Sequence, residues 1–592
     1  MKYDAKDLIE MSHAVRASAL RAIKSAASGH VGIVLGASDI ITTVYANFMR
    51  CGADRFVLSA GHGSAMLYSV LKLCGYEIGD LNTFRQYGGL PGHPELSIAG
   101  VDATTGPLGQ GIGNAVGLAM AAKIKNDNSR VYCLCSDGDL MEGVAQESIG
   151  FAGHYKLNNL VVLWDDNRVS IDGRAQTDNN IPAHMIAAGW KVIKNIDGHN
   201  FDELNRALIT AQKSIWPTFI QCKTHIGHES SLTDSAKAHG LALGDIELNE
   251  LIQNFTSLRG ETLWNQYAAS RICCLSPNLD TSIPDIEPPM WSGAGSTRKL
   301  SAKYLEDLLF NGVKLIGGSA DLGGNTGTRV PSSHDITMDD FSGNYINYGV
   351  REHAMGAIMN GLVTGGLRAY GGTFLAFSDY MRPSIRIAAL SKLPVIYVFS
   401  HDSVAVGEDG PTHQPVEQLA SLRMIPNLNV FRPCNGVEVA WSWQTALHDT
   451  QHPTAIILSR QEFYQISTPN GANIGRGAYI IQPAQKPRIT LVATGAEVPL
   501  AVQVANIIGK NVQVVSMPSV ETFRKQDDKY KQQILQGFVV AIEASTSAPW
   551  FEFADAVVGI DSFGFSAPGE TVYKKMGMDA QAIANSILNQ IK

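Results

Sequence analysis

Charge is scarce in this sequence. Asp, Glu, Lys and Arg make up only 17% of its 592 residues, against about 25% in an average soluble chain. A low charged fraction fits a large protein with much buried surface and a subunit interface. The formal net charge of −8 is spread along the chain rather than gathered in blocks, so neither nucleic acid nor an anionic membrane is expected as a partner. No uninterrupted apolar run reaches the ~18 residues of a membrane helix, and no membrane span is expected. The opening stretch MKYDAKDLIEMSHAVRAS has no apolar core of the signal-peptide kind. The eight cysteines, at positions 51, 74, 133, 135, 222, 273, 274 and 434, form no CxxC pair and no metal-finger spacing. Those in VYCLCSD lie in an apolar run, where cysteine acts as a small hydrophobe. A reducing cytoplasm is the simplest reading. Low-complexity tracts and short repeats are missing, and the composition excludes disorder, collagen and coiled coil.

What is present is ample apolar sequence, 45%. At ~150 residues per domain the length allows about four domains, or three larger α/β ones. Residues 1–245 alternate strand-like runs (VYCLCSD, LVVLWDD) with helix-like stretches, which favours a parallel sheet with crossover helices. Residues 246–297, including the Pro-, Ser- and Gly-rich DTSIPDIEPPMWSGAGST, read as a linker. A second α/β block, 298–468, has KLIGGSAD, RAYGGTF, LPVIYVFSHD and TAIILSR as strands. A third, 469–592, has RITLVATG, VQVVSMPS and GFVVAIEA.

The strand VYCLCS runs into Asp137-Gly138, and LVVLWD into Asp166-Asn167. In a parallel sheet both ends emerge at the edge where α/β folds bind ligands. Asp137 and Asn167 there present hard oxygen donors, which suit Mg²⁺ or Ca²⁺ bridging to a phosphate better than zinc. Taken alone, DG and DN are as readily turn residues. TTGPLGQGIGNAVGLAMAA runs from a Gly-rich loop into a small-residue helix. Neither GxGxxG nor GxxxxGK can be placed on it, so it is either an anion-facing helix start or a tight helix contact. His30, His62, His93, His239, His401 and His413 lie in Gly- or Pro-flanked loops. Six together suggest a polar cleft with acid–base or hydroxyl-binding groups. Phe374, Phe377 and Tyr380, spaced i, i+3, i+6, read by spacing as a helix core stripe. Arg298 and Arg460 are lone arginines of the type that grips phosphate.

Together these pieces resemble the transketolases, thiamine-diphosphate enzymes. The matching segments are SGH, DRFVLSAGHGS, PGHPE, TTGPLGQGIGNAVG, SDGDLMEG with DDNRVSIDG, GGSADL, GVREHAMGAIMNG, GGTFLAF, HDSVAVGEDGPTHQPVEQLASLR, ILSRQ and VATGAEV. They occur in the family's order over nearly the whole chain. The resemblance implies three α/β domains with mostly parallel sheets flanked by helices: a diphosphate-binding, a pyrimidine-binding and a C-terminal domain. It implies a homodimer with active sites at the interface, thiamine diphosphate, and Mg²⁺ or Ca²⁺. It implies reversible transfer of a two-carbon ketol unit, carried as a dihydroxyethyl group on the cofactor, from a ketose phosphate such as xylulose 5-phosphate. The acceptor is an aldose phosphate such as ribose 5-phosphate, and the setting the non-oxidative pentose phosphate pathway.

The resemblance also implies residue roles. Asp137, Asn167 and the Val169 carbonyl hold the metal, while His62 and Gly138 contact the diphosphate. Ile171 wedges beneath the cofactor. Gly106 and Leu108 meet the aminopyrimidine, Phe374, Phe377 and Tyr380 surround its ring, and Asp321 lies near the cofactor. Glu352 hydrogen-bonds the aminopyrimidine, a role suited to a carboxyl kept neutral in an apolar slot. His30, His93 and His239 stabilise oxygens at the reacting carbons, and His239 also meets the cofactor. His413 serves cofactor and donor. His401 and Asp409 read sugar hydroxyls, and Arg298, Arg460 and Asn325 the phosphate. Glu142 and Glu147 couple the two sites.

The sequence departs from the family pattern in places. GDG reads SDG at Ser136, which is tolerable if that backbone does not need φ > 0. SGHPG reads SGHVG at Val31, and HGAPLG reads HGLALG. The loop after SADL has Asn325 where a serine is usual, so phosphate recognition is expected to be altered. The stretch from Arg50 to Asp54 and the linker are both short. A deoxyxylulose-phosphate synthase, the nearest rival, is disfavoured by PGHPE and GEDGPTHQP.

Overall fold

The computed structural model describes residues 2–50, 52–176, 180–240, 243–269, 283–284, 286–289 and 293–591. The chain divides into two compact units. One comprises Met1–Asn278 with Thr337–Ser342 and Ala357–Leu367, and the other the remainder.

The first unit is built on a parallel sheet. Its strands are β1 (Arg55–Leu58), β2 (Val131–Ser136), β3 (Leu160–Asp166), β4 (Lys191–Asp197) and β5 (Thr218–Lys223), in spatial order β1-β2-β3-β5-β4. β2 and β3 are near-continuous apolar runs because both faces of a parallel sheet are covered by helices. Register pairs Val131 with Leu160 and Ser136 with Asp165, which brings the polar ends of β2 and β3 to one edge. β4 is polar and largely exposed, as an edge strand can be, and its sequence gives little apolar signal.

The helix Ala5–Ala26 starts at Asp4, whose side chain accepts from the Asp7 N–H. It packs on the helix Val31–Thr43, which is buried along its whole length. Residues Val31–Phe48 are long and apolar enough to cross a membrane by composition. The strict apolar-run criterion passes them over because Gly, Ser, Asp and Thr interrupt them. Here they form the centre of a folded core. Arg16 and Asp39 lock the two helices with a buried ion pair of 2.6 Å.

The stretch read as a linker needs correction. It begins with the helices Asp245–Phe255 and Leu258–Ala269. Leu248, Leu251, Phe255 and Trp264 are buried in the same core as the N-terminal helix, and the Trp264 indole N–H donates to the Met11 carbonyl at 2.9 Å. Their apolar spacing, diluted by polar neighbours, hid an amphipathic pair. Within DTSIPDIEPPMWSGAGST, residues 280–282, 285 and 290–292 lie outside the described residues.

Among the described residues the second unit contains two large sheets and a small antiparallel pair, Ala294–Gly295 with Phe463–Tyr464. The first has β6 (Gly317–Ser319), β7 (Tyr345–Asn347), β8 (Tyr370–Phe374), β9 (Ile396–Ser400), β10 (Asn429–Phe431) and β11 (Thr454–Leu458). All are parallel, in order β7-β6-β8-β9-β11-β10. The second has β12 (Tyr479–Gln482), β13 (Ile489–Ala493), β14 (Val512–Ser516), β15 (Phe538–Ile542) and β16 (Ala556–Val558), in order β12-β14-β13-β15-β16. Only β12 in it runs antiparallel. The fold is thus mixed α/β, with mostly parallel sheets flanked by helices. Cys74, Cys133, Cys135, Cys222 and Cys434 are buried, while Cys51, Cys273 and Cys274 lie outside the described residues.

Candidate active site

In the first unit the carboxyl ends of the central strands carry the expected residues. β1 runs into the turn Gly61–Gly63, which holds His62. The loops before Val31 and after Leu90 and the short helix Lys237–Gly240 bring His30, His93 and His239 beside it. Ring centroids are 5.3 Å apart for His30–His62, 5.8 Å for His30–His239, 6.3 Å for His30–His93 and 5.0 Å for His62–His239. Four imidazoles so close cannot all be charged. Burial first, then Arg85, His239 and His93, lower the pKa of His30 to about 4. Burial and the neighbouring rings hold His62 well below its ordinary value. His93 is lowered by burial and Arg85, and His239 by burial. The cluster is therefore a set of neutral donors and acceptors at pH 7. Arg85, which the sequence reading missed, lies 3.2 Å from the His30 ring nitrogen and donates to Ser28. Its only sequence signal is its place just before PGHPE.

Gly106 has φ +138°, and a Cβ there would stand 3.3 Å from the His93 ring. A Cβ at Gly61 would come within 2.7 Å of the Gly106 nitrogen, and one at Gly138 within 2.9 Å of Leu108 Cδ1. These glycines keep a cradle open between the loops. Leu108 is partly exposed beside it.

Ser136 has φ −108°, so serine is accommodated without strain. It caps the short helix Asp137–Met141: its hydroxyl accepts from the Asp139 N–H, and the Asp139 carboxylate accepts from the Ser136 N–H. Asp139 also accepts from Ser59 and from the Gly109 N–H, at 2.6 and 2.8 Å. The Gly-rich loop before helix Gln110–Ile124 therefore has a partner within the chain. That helix is also the tight contact its small residues allow, since a Cβ at Gly117 would lie 2.1 Å from the Ile358 carbonyl oxygen.

Beside this loop, Asp137 Oδ2 accepts from the Arg168 N–H at 3.2 Å. Its other oxygen is buried with no hydrogen-bond partner. Burial, Asp166 and Asp165 push the Asp137 pKa up to about 8. The Asn167 amide bridges Asp165 Oδ2 at 2.9 Å and the Val169 N–H at 3.0 Å. Among the described residues no group of three or more His, Cys, Asp or Glu side chains is arranged to hold a metal. The set here is instead one carboxylate, one amide oxygen and one backbone carbonyl. An orphaned carboxylate oxygen in a carboxylate-rich, partly buried corner fits a hard divalent cation. Ile171 is 75% exposed between the paired strands Val169–Ser170 and Gly173–Arg174. Glu142 is exposed and Glu147 half-buried.

In the second unit Glu352 opens the helix Glu352–Thr364 and is 9% exposed. Burial raises its pKa, against its own backbone N–H and the Thr373 hydroxyl, which donates at 3.3 Å. Thr373, at the penultimate position of β8, was not singled out from sequence. Phe374, Phe377 and Tyr380 do not form a helix stripe. Phe374 ends β8, Phe377 lies in the 3₁₀ turn Leu375–Phe377, and only Tyr380 is helical. This break turns the rings onto the site: Phe374 stacks on His401 at 3.7 Å, and Phe377 meets His413 at 5.1 Å. Tyr380 is 64% exposed.

A cavity of about 460 Å³ is lined by Arg298, Leu322, Asn325, Phe374, His401, Asp409, His413 and Arg460. All but Leu322 were picked from sequence. Arg298 donates to the Asn325 carbonyl at 2.5 Å, and Arg460 to the Val406 carbonyl at 2.7 Å with Glu408 at 3.9 Å. Asp321 and His401 both have left-handed backbones, φ +62°. Burial, then Arg298, Arg460 and His413, hold His401 neutral, with its pKa down to about 3.

The comparisons with known proteins agree along the chain. Residues 8–259 match the transketolase thiamine diphosphate binding domain, 294–465 the transketolase pyrimidine binding domain and 477–579 the transketolase-like C-terminal domain. The transketolase of Bacillus subtilis (strain 168) is 40% identical over 97% of this chain and 98% of its own length. The transketolase structure from Leishmania mexicana is 35% identical, with a TM-score of 0.93 over 98% of this chain and 96% of that one. A structure titled as a transketolase complex with sedoheptulose 7-phosphate, from Pichia stipitis, is 32% identical, with a TM-score of 0.92 over 98% of this chain and 97% of that one. The chain belongs to the transketolase family, thiamine-diphosphate-binding transferases that move ketol units.

Proposed function

We propose that the protein transfers a two-carbon ketol unit reversibly from a ketose phosphate such as xylulose 5-phosphate to an aldose phosphate such as ribose 5-phosphate. The reaction belongs to the non-oxidative pentose phosphate pathway, in the cytoplasm, and the active enzyme is a homodimer with active sites at its interface. The observation that carries the substrate class is the 460 Å³ cavity, where two arginines, two histidines and an aspartate converge beside Phe374. That set matches an anionic end and several hydroxyls. The sedoheptulose 7-phosphate complex named for the Pichia stipitis relative supports the same class.

Thiamine diphosphate, when bound, supplies the nucleophilic carbon and the electron sink for carbon–carbon cleavage. Asp137, Asn167 and the Val169 carbonyl would hold Mg²⁺ or Ca²⁺ on its diphosphate, and His62 and Gly138 would contact that group. Glu352 would hold and move a proton at the aminopyrimidine N1′; burial keeps its carboxyl protonated to higher pH than an exposed one. Phe374, Phe377 and Tyr380 would wall the aminopyrimidine ring. His30, His93 and His239, neutral at pH 7, would donate to oxygens at the reacting carbons without adding positive charge there. Arg298 and Arg460 anchor the far end of the sugar.

A second reading, weaker dependence on the phosphate, is favoured by one observation. Both arginines already donate to backbone carbonyls, and Glu408 lies 3.9 Å from Arg460. The test is purified protein with Mg²⁺ and thiamine diphosphate, assayed for ketol transfer from xylulose 5-phosphate to ribose 5-phosphate. No transfer refutes the function. Replacing Asn325 by Ser is expected to raise the preference for phosphorylated over unphosphorylated donors. An unchanged ratio of kcat/KM values removes Asn325 from phosphate recognition.

A further inference from the structure

His401 lines the substrate cavity with an unfavourable backbone. Its φ of +62° is left-handed, a region that non-glycine residues rarely occupy and hold only when their surroundings over-determine it. Its own side-chain contacts are slight: a 3.7 Å stack on Phe374 and a 2.8 Å bond between its ring nitrogen and Ser400. The strong constraint falls on the next residue. Asp402 Oδ2 accepts from Arg432 Nε and Nη2, at 3.1 and 2.8 Å, and both side chains are 1% exposed.

Arg432 is itself gripped from the C-terminal sheet. It donates to Thr494 Oγ1 at 2.9 Å and to the Glu497 carboxylate, which the Tyr573 hydroxyl also meets. Gly495 lets this happen: a Cβ there would stand 2.9 Å from Arg432 Cγ. The same sheet and the loops beyond it hold the rest of the substrate-facing segment. Gln414 donates to the Phe565 carbonyl at 3.0 Å, and Ser545 to the Val416 carbonyl at 2.7 Å. Along 401–416, residues that face the cavity (His401, Asp409, His413) are therefore interleaved with residues tied to the C-terminal domain.

We propose that the C-terminal domain is the template for the donor-binding segment, and that Arg432 is a positioning residue which, through Asp402, holds His401 in its strained conformation against the sugar. This deepens the ketol-transfer reading and rests on it. A buried guanidinium whose Nε and Nη2 both donate to one carboxylate oxygen fixes that oxygen in distance and direction, which a backbone held in an unfavourable region requires.

Asp402→Asn is the test least disruptive to folding, since Arg432 keeps Glu497 and Glu543 beside it. In the ketol-transfer assay the KM for the donor is expected to rise at least fivefold, with kcat within about twofold and thiamine diphosphate affinity unchanged. Arg432→Lys, which keeps the charge but not the fork, is expected to do the same. In a His401→Ala background, Asp402→Asn is expected to add nothing, because neighbours that act as a unit are non-additive. Additive effects, or an unchanged KM in the folded Asp402→Asn protein, overturn the proposal. The His401 ring resonance in histidine-labelled protein is expected to move in Asp402→Asn whether or not the protein turns over. An unmoved resonance therefore defeats the positioning role alone, whereas an inactive wild type defeats the activity reading alone.

Discussion

Replacing Glu352 by Gln separates catalysis from stability at one buried atom. Glutamine keeps the volume and can still accept from Thr373, now 3.3 Å away, but it carries no acidic proton. If Glu352 exchanges that proton with the cofactor ring, the loss is that of a positioned acid–base group, about 10²–10⁴-fold in kcat/KM. This corresponds to about 3–5 kcal/mol of transition-state stabilisation. Stability moves the other way. Burial raises the carboxyl pKa above its ordinary 4.5, so the folded chain binds this proton more tightly than the unfolded chain. That preference favours folding at low pH and fades as pH rises past 4.5 through the folded value. Glutamine has no such dependence. The apo variant is therefore expected to melt close to wild type at pH 4 and at the same or a higher temperature at pH 8. Coupled ketol-transfer kinetics and thermal melts at the two pH values read both effects. Activity within about threefold of wild type refutes the proton role. A Tm several degrees lower at pH 8 shows instead that Glu352 is structural.

Gly117→Ala places a methyl group 2.1 Å from the Ile358 carbonyl; overpacking of about 1–3 kcal/mol should lower Tm, and an unchanged melt contradicts the contact. Burial alone would raise the Glu543 pKa, but the charges and hydrogen bonds of Arg423, with Arg432 and Thr494, bring it down to about 2. The stability it adds, about 3 kcal/mol, is present above pH 4.5 and disappears as pH falls toward 2. Glu543→Gln should therefore destabilise at pH 7 and converge on wild type in acid, and denaturant melts across that range check it. His30, with its pKa lowered to about 4, is expected to show no imidazole titration by NMR between pH 8 and 5; a midpoint near 6.5 would mean the four-histidine cluster is solvated.

Much of the architecture was legible because it is local. VYCLC and LVVLW are apolar up to Ser136-Asp137 and Asp165-Asp166-Asn167, so strand ends and the candidate metal donors Asp137 and Asn167 could be read together. VQVVSMPS and GFVVAIEA are equally plain. The short strands Tyr345–Asn347 and Asn429–Phe431 carry too few residues to show a pattern, and the exposed edge strand Lys191–Asp197 shows mostly polar ones. The helices Asp245–Phe255 and Leu258–Ala269 went unseen because only their packing against the N-terminal helix separates the buried stripe from the polar remainder. Most of the site roster came from family resemblance rather than periodicity. Phe374, Phe377 and Tyr380 show the difference, since their spacing alone reads as helix core.

The amino-acid sequence by itself determined the α/β order, the loops that carry the histidines, and the donors at the strand ends. Each of these follows from neighbours within a few residues. Only the tertiary structure decided which groups are neutral, which are charged and which are strained. His30, His62, His93 and His239 come together from four separate segments, and Arg432 reaches Asp402, Thr494 and Glu497 from elsewhere in the chain. Burial and the field of distant charges, which set those states, exist only once the chain has folded.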